Sequence, residues 1–191
     1  MQQKRKWLST APVHEPHDCD PAVKPELVVS QVDVLLPPRL DQVMKLEEEA
    51  FPPCERLGSI MMQQQTLLRT SGLLLAELGA TVAGYLLFAR SGNSGLITKL
   101  AVGLPFRRQG IGSTLLKQGI AELERPGRRT TISEIQLHVD PTRTAAQSLY
   151  ESHGFVREVL LTGYYGDARD ALLMCRRHSV ADSSMGSSQM P

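Results

Sequence analysis

The stretch Leu100-Ala-Val-Gly-Leu-Pro-Phe-Arg-Arg-Gln-Gly-Ile-Gly-Ser113 runs from an apolar strand, through a loop of arginine and glycine, into the start of an amphipathic helix. Gly110 and Gly112 allow the backbone to come close to a ligand. Successive N–H groups at a helix N-terminus bind phosphate oxygens, and Arg107 and Arg108 add positive charge beside them. We therefore predict that this loop cradles a pyrophosphate.

The loop matches neither of the common nucleotide-binding patterns, because both GxxxxGK[ST] and GxGxxG are absent from it. It does match [RQ]xxGx[GA], through Arg107, Gly110 and Gly112. That short pattern is weak alone, and a glycine-rich turn that merely leads into a helix is the alternative. The elements around the loop therefore have to support the prediction.

Hydrophobic periodicity predicts strands and helices that alternate along the chain on both sides of this loop. The predicted strands cover residues 27–36, 73–78, 81–89, 96–102, 132–139, 155–162 and 171–176. One predicted helix starts at Pro37 and stops before Pro52, and a short one covers residues 60–69. A third follows the glycine loop up to Pro126, and a fourth is capped by Thr142 or Thr144 and ends near Gly154. This order predicts a mixed α/β sheet with helices on both faces.

Composition indicates one domain with a true core, since 41% of the 191 residues are hydrophobic and 21% are charged. We expect the domain to cover residues 27–178, between a flexible segment at 1–26 and a disordered one at 179–191. Lys plus Arg is 21 and Asp plus Glu is 20, so the net charge is +1. That balance argues against nucleic acid as a partner.

The cysteines and the apolar stretches indicate the cellular compartment in which the protein is expected. Three widely spaced cysteines without a CxxC motif indicate neither a disulfide framework nor a zinc ribbon, and they favour a reducing compartment. No secretory signal pattern follows Lys4-Arg-Lys6. The most apolar stretch, residues 73–89, is interrupted by Glu77 and two glycines and is too short to span a bilayer. We expect a cytoplasmic protein, which could also be nuclear, with no membrane partner.

His14, His17 and Cys19 form an H-x2-H-x-C cluster of metal-ligand types. Zinc would need a fourth ligand and a fixed loop, and this cluster lies in an expected tail. We therefore predict no metal site.

Further motifs follow the glycine loop in a characteristic order. A strand contains Ile135-Gln-Leu-His-Val139, the next helix leads through Ala145-Ala-Gln-Ser-Leu-Tyr150 to Gly154-Phe155, and Tyr164-Tyr165 follows. This series resembles the GNAT superfamily of acetyl-CoA-dependent N-acetyltransferases over about residues 27–176. Within it, the chain is similar to the protein N-terminal acetyltransferases, including the bacterial ribosomal-protein group. The resemblance implies a GNAT fold, with a mostly antiparallel central sheet of about seven strands, and acetyl-CoA as co-substrate.

The resemblance also implies which residues contact the cofactor. Backbone groups of the strand before the loop would hold the pantetheine arm, and an N–H there would stabilise the oxyanion that develops on the thioester. Arg143 replaces an Asn that often contacts CoA, although Arg could still reach a phosphate. The implied cofactor residues are Leu100, Ala101, Val102, Arg107, Arg108, Gln109, Gly110, Ile111, Gly112, Ser113 and Arg143.

Two residues are implied to be catalytic. His138 aligns with the histidine that some N-terminal acetyltransferases use as general base, and strand alternation places it on the face opposite Leu137 and Val139. Tyr150 aligns with the tyrosine near the CoA sulfur, where a phenol could protonate the leaving thiolate. The alternatives are an ordinary strand histidine and a core tyrosine. Some relatives place a catalytic Tyr near Leu96, so another base, or water, stays open.

The acceptor residues are the least specific part of the match. Tyr164 and Tyr165 resemble paired tyrosines that line a peptide cleft, and Phe51 and Pro52 resemble its opposite wall. Paired aromatics could equally be hairpin packing. Lys99 is unusual in a strand of this kind, and no motif accounts for it.

The expected function is transfer of acetyl from acetyl-CoA to a primary amine, by direct attack on the thioester without an acyl-cysteine. A peptide or protein N-terminal α-amine is the favoured acceptor. Two alternatives stay open: acetylation of a small amine or a lysine side chain, and a non-catalytic acyl-CoA-binding module. The sequence does not indicate an oligomeric state.

Overall fold

The computed structural model of the protein describes residues 25–126, 130–166 and 169–177. The strands are β1 (Leu27–Val32), β2 (Ser71–Leu78), β3 (Thr81–Ser91), β4 (Ser94–Val102), β5 (Glu134–Val139), β6 (Val156–Leu161) and β7 (Ala171–Arg177). The helices are α1 (Pro37–Ala50), α2 (Ser59–Leu67), α3 (Ile111–Glu124) and α4 (Thr144–Glu151), and short 3-10 turns cover Pro53–Glu55 and Leu104–Phe106. Apart from Pro25 and Glu26, the expected tails at 1–26 and 179–191 lie outside the described residues, as does the His14, His17 and Cys19 cluster.

The strands form one sheet in the order β1-β2-β3-β4-β5-β7-β6. Neighbouring strands run antiparallel, and among the described strands only β4 and β5 pair in parallel. This confirms the expected mixed, mostly antiparallel sheet of seven strands.

Both faces of the sheet are covered, which explains the nearly continuous apolar run in β2. Because side chains alternate along a strand, Leu74 and Ala76 pack in the cluster that contains α3 and α4. Leu73 and Leu75 point the other way, into the cluster that contains α1 and Met62 of α2. The prediction of helices on both faces is therefore confirmed.

A β-bulge in β4 separates it from β5. Opposite β3, Leu87 pairs with Lys99 and Phe88 pairs with Ile97, so Thr98 is an extra residue in β4. A bulged strand bends at the extra residue. The pairing of β4 with β5 covers Ser94 to Ile97 only, and beyond it β4 continues to Val102 beside β3 alone. We call this divergence of β4 and β5 the fork.

Several predicted boundaries were wrong, for reasons of strand pairing. The first strand ends at Val32 and not at residue 36, because Val32, opposite Leu73, is its last residue paired with β2. β4 begins two residues early, at Ser94, because the β3–β4 turn brings Ser94 opposite Ser91. β5 begins at Glu134, and not at residue 132, where its pairing with β4 and β7 begins.

The predicted threonine cap of α4 was also wrong. Arg143 is the N-cap residue and makes no side-chain capping bond. The backbone N–H and hydroxyl of Thr142 instead donate to the Asp140 carboxylate, at 2.9 and 2.6 Å. At the other end of α4, Gly154 has a φ of +83°, the left-handed conformation in which a chain commonly leaves a helix.

We predict that Leu115→Ala lowers the free energy of unfolding by about 2–5 kcal/mol, because it opens a cavity between α3 and the sheet. Leu115 is 0% exposed. The matched control is Leu67→Ala in α2, where the leucine is 71% exposed, and we expect a change within about 0.5 kcal/mol. Denaturant unfolding measures both variants, and equal losses would contradict this account of the core.

Candidate active site

Two adjoining cavities open at the fork. The larger, about 700 Å³, lies against the glycine loop, and the smaller, about 270 Å³, lies between the two diverging strands. The residues that line both are Phe51, Leu100, Arg143, Ala146 and Tyr150. Because these residues are shared, a ligand bound in the larger cavity lies next to a ligand bound in the smaller one.

The glycine loop presents backbone N–H groups to the larger cavity. Arg108 and Gly110 both have positive φ, at 63° and 81°, and Gly110 is the N-cap residue of α3. No side chain caps this helix end, and its first internal bond runs from the N–H of Thr114 to Gly110 O. The first-turn N–H groups, those of residues 111–113, have no partner within the helix and suit an anionic ligand.

Most of the predicted cofactor residues line the larger cavity, but two side chains in the loop bond within the protein. Arg107 lines the cavity, yet its Nε donates to Val102 O at 3.0 Å and so ties the loop to the end of β4. Gln109 is absent from the described residues that line either cavity, and its Nε2 donates to Pro105 O at 2.9 Å. The remaining predicted cofactor residues that line it are Leu100, Ala101, Val102, Arg108, Gly110, Ile111, Gly112, Ser113 and Arg143.

Tyr150 of α4 lies where the two cavities join. It packs edge-on against Phe155, with ring centroids 6.0 Å apart, and is buried in the core around α3. Burial raises the pKa of the Tyr150 phenol to about 12. The phenol therefore stays protonated at neutral pH and can donate a hydrogen bond or a proton to negative charge that develops beside it.

His138 lies on the opposite side of the fork, in β5. Its neighbours Leu137 and Val139 are buried in the core, while His138 lines the smaller cavity. Its ring stacks on Tyr164, with centroids 4.5 Å apart and an interplanar angle of 13°. Burial lowers the pKa of His138 below its ordinary value, so the imidazole is neutral at pH 7 and can accept a proton.

The predicted acceptor residues divide into two groups. Tyr165 and Phe51 line the smaller cavity, and burial, helped by the nearby Glu55 carboxylate, raises the pKa of Tyr165 to about 12. Tyr164 packs against two residues that line the cavity. Its ring stacks on His138 and makes an edge contact with Tyr165, with the ring centroids 5.0 Å apart. Pro52 is not among the described residues that line either cavity.

Sequence reasoning missed the ion pairs that Glu55 makes at the smaller cavity. Glu55 pairs with Arg143 at 3.2 Å and with Arg169 at 2.5 Å, and Arg169 also donates to Asp140 at 2.8 Å. Arg143, which could still reach a phosphate, lines both cavities and directs its guanidinium to Glu55. Burial tends to raise the pKa of Asp140, but hydrogen bonds from Thr142 and Arg169 outweigh it and lower that pKa to about 2.

Lys99 completes this group of missed residues. It lines the smaller cavity, and its ammonium donates to Glu47, a fully buried carboxylate on α1, at 3.0 Å. Two signals were present in the sequence: a lysine inside an apolar strand and a glutamate at an apolar position of a helix. No sequence signal marked Glu55.

The described residues give two negative findings. Within residues 25–126, 130–166 and 169–177, no group of three or more His, Cys, Asp or Glu side chains could hold a metal ion. None of the helices in those ranges is long and apolar enough to cross a membrane.

Comparison with known sequences gives the family. A model of the acetyltransferase (GNAT) family matches residues 40–155, more than half of the chain. An N-alpha-acetyltransferase of Saccharolobus solfataricus is 35% identical over 82 residues, which are 43% of this chain and 47% of that protein. Human N-alpha-acetyltransferase 30 is 38% identical over 41% of this chain and 20% of its own length. The chain thus matches less than half of the length of these two relatives.

A longer sequence match and two solved structures agree with the assignment to the acetyltransferase (GNAT) family. An uncharacterized N-acetyltransferase of Methanocaldococcus jannaschii is 32% identical over 148 residues, 72% of this chain and 85% of that protein. The Escherichia coli ribosomal-protein-S18-alanine N-acetyltransferase superimposes with a TM-score of 0.69 at 22% identity, over 85% of this chain and 100% of that one. Arabidopsis thaliana NAA60, solved with acetyl-CoA, superimposes with a TM-score of 0.67 at 17% identity, over 80% of this chain and 98% of that one. The shared fold and these sequence matches show that the chain belongs to the GNAT family of N-acetyltransferases.

Proposed function

We propose that this protein transfers the acetyl group of acetyl-CoA to the α-amine of a peptide or protein N-terminus. The observation that carries the proposal is the junction of the two cavities at the fork. A cradle of backbone N–H groups lies at one end, a neutral histidine lies at the other, and a protonated tyrosine lies between them.

The larger cavity suits CoA. Its pyrophosphate would accept hydrogen bonds from the N–H groups at the start of α3, which have no partner within the helix and no side-chain cap. The pantetheine arm would lie along residues 100–102, where β4 has left β5 and its edge carries no strand partner among the described residues. An N–H group of that edge would stabilise negative charge on the thioester oxygen.

The smaller cavity would hold the acceptor amine. An α-amine has a pKa of about 7.7–8.0, so a large fraction is protonated at neutral pH and cannot attack. Its neutral form attacks, and His138 would take the proton that this nitrogen loses as the amide forms, directly or through a water molecule. The amine nitrogen forms a bond to the carbonyl carbon, the carbon–sulfur bond breaks, and the leaving thiolate takes a proton from Tyr150. The Tyr150 phenolate then regains a proton from the His138 imidazolium through solvent, so both side chains return to their neutral forms. The products are an N-acetyl amide and CoA with a free thiol.

The names of the relatives favour an N-terminal amine over other acceptors, since two are N-alpha-acetyltransferases and one solved neighbour acts on a ribosomal-protein alanine. A pool of amino-terminal peptides, lysine peptides and small amines, incubated with acetyl-CoA and read by mass spectrometry, tests this. Acetylated peptide α-amines are the expected products. Modification confined to lysines or small amines would overturn the choice of acceptor, and acetyl-CoA binding without any product would favour a binding module.

We predict that Gly110→Ala raises the Kd for acetyl-CoA by about tenfold, equal to about 1.4 kcal/mol. The expected loss of affinity does not come from a steric clash, since nothing lies within 4 Å of a Cβ added at Gly110. It comes from the φ of +81°, which is unfavourable for any residue with a Cβ, so the loop would shift away from the cradle geometry. Isothermal titration calorimetry measures the change.

Gly92→Ala is a matched control for that variant. Gly92, in the β3–β4 turn, also has positive φ and open space around it, but it lies outside both cavities. We expect both variants to lose about 1 kcal/mol of stability, while only Gly110→Ala loses affinity. Equal affinities for the two variants would remove the glycine loop from the binding site.

We predict that His138→Ala lowers kcat by on the order of 10²-fold or more. In the wild type, kcat/KM falls with falling pH as the amine and then His138 become protonated. The slope of log kcat/KM against pH should therefore approach two below the pKa of His138, which burial lowers from its ordinary value.

In the His138→Ala variant, log kcat/KM should rise with pH at a slope of one in the same low-pH range, because only the acceptor amine titrates. Gln136→Ala, on the same face of β5 but outside both cavities, should keep the wild-type profile. A slope of two that persists in His138→Ala would exclude His138 as the base.

A further inference from the structure

Lys99 follows the bulge in β4 directly, and its side chain is only 9% exposed. Its ammonium makes three contacts, all with the segment that ends α1 and enters the next turn. It donates to Glu47 Oε2 at 3.0 Å and to the backbone carbonyl of Glu55, and it lies 3.9 Å from the centroid of the Phe51 ring. Two of the three N–H donors of the ammonium are thus used in hydrogen bonds, and its positive charge lies against the face of the Phe51 ring.

The Glu47 carboxylate is the second anchor of the same segment. It is 0% exposed and accepts hydrogen bonds from the Tyr85 hydroxyl and from the backbone N–H of Leu57, the latter at 2.8 Å. A carboxylate buried this completely requires a cation beside it, and Lys99 provides one. The ion pair therefore holds residues 51–57 at several points: Phe51 and Glu55 through Lys99, and Leu57 through Glu47.

Residues 51–57 form a wall of the smaller cavity through Phe51 and Glu55, and apolar packing secures the segment only at its two ends, Phe51 and Leu57. Phe51 is buried, but the turn Pro53–Glu55 contributes no buried residue. The Glu55 carboxylate of this wall also pairs with Arg143 and Arg169 across the cavity. The position of the wall therefore depends on polar contacts, among which those of Lys99 are the most enclosed.

We propose that Lys99 is a positioning residue for the acceptor: its ammonium holds Phe51 and the following turn in the place where they can form one side of the acceptor site. This inference rests on the proposed function for its readout in turnover. Lys99 does not act as an open cation for acidic acceptors, because its charge is already balanced by the buried Glu47 carboxylate. Loss of the ammonium should therefore weaken the binding of all peptide acceptors to a similar degree, whatever the charge of their first side chain.

Lys99→Met tests the proposal, since it keeps the apolar stem and removes the ammonium. We expect KM for the acceptor to rise by about tenfold, with a much smaller change in KM for acetyl-CoA and no change in the low-pH slope that reports His138. Lys117→Met, the same change on the exposed face of α3, should leave both KM values at their wild-type level.

A second variant separates positioning from stability. Lys99→Met leaves Glu47 buried without its cation and will lower the melting temperature. Adding Glu47→Gln removes that buried charge, so the double variant should regain most of the melting temperature while its acceptor KM stays raised. If the double variant regains the wild-type KM together with its stability, Lys99 has only a structural role and the proposal is wrong.

Amide hydrogen exchange gives a readout that needs no turnover. Residues 51–57 should exchange faster in Lys99→Met and in the double variant than in the wild type, while residues 107–113 keep their rates. Unchanged exchange in 51–57 would overturn the proposal even if the acceptor proves to be a small amine. Failure of the wild type to acetylate peptide α-amines would overturn the proposed function alone.

Discussion

The divergence of β4 from β5 is the feature on which both cavities depend. A single extra residue, Thr98, bends β4 away from its parallel neighbour at the point where their pairing ends. Up to Ile97 the two strands are joined by backbone hydrogen bonds. Beyond it the edge of β4 faces a cavity that residues 98–100 line together with His138 and Val139. The loop and helix that follow β4 then bring the N–H cradle to the other end of the same opening.

The site separates its charges from its proton-transfer groups. His138 and Tyr150 have no charged partner within hydrogen-bonding distance among the described residues, and burial shifts their pKa values so that both side chains are neutral at pH 7. The charged groups pair with one another instead: Lys99 with Glu47, and Glu55 of the acceptor wall with Arg143 and Arg169. Positions in that wall are thus set by ion pairs, while the histidine and tyrosine remain able to accept and donate protons.

The glycine loop, His138 and Tyr150 could be located from sequence because their signals are local: a short motif, a strand alternation and a helix spacing. The contacts that hold the acceptor wall in place could not be predicted from sequence, because they join residues far apart in the chain. Lys99 and Glu47 are 52 positions apart, and Arg143 and Glu55 are 88 apart. The bulge at Thr98 was also beyond prediction, since it is defined by the register against β3 and not by residue type. Gly110 was singled out for close approach to a ligand, and the structure adds a conformational reason for glycine there, a positive φ.

The most direct test of this account is amide hydrogen exchange of the whole chain with and without acetyl-CoA. If the fork holds the cofactor, residues 98–102 and 110–113 gain protection on binding, because their free N–H groups become bonded or shielded from water. Strands β1 and β2, at the far edge of the sheet, keep their exchange rates. Protection gained at the far edge, or none in residues 98–102 and 110–113 despite saturating acetyl-CoA, would contradict the claim that the divergence of β4 and β5 creates the active site.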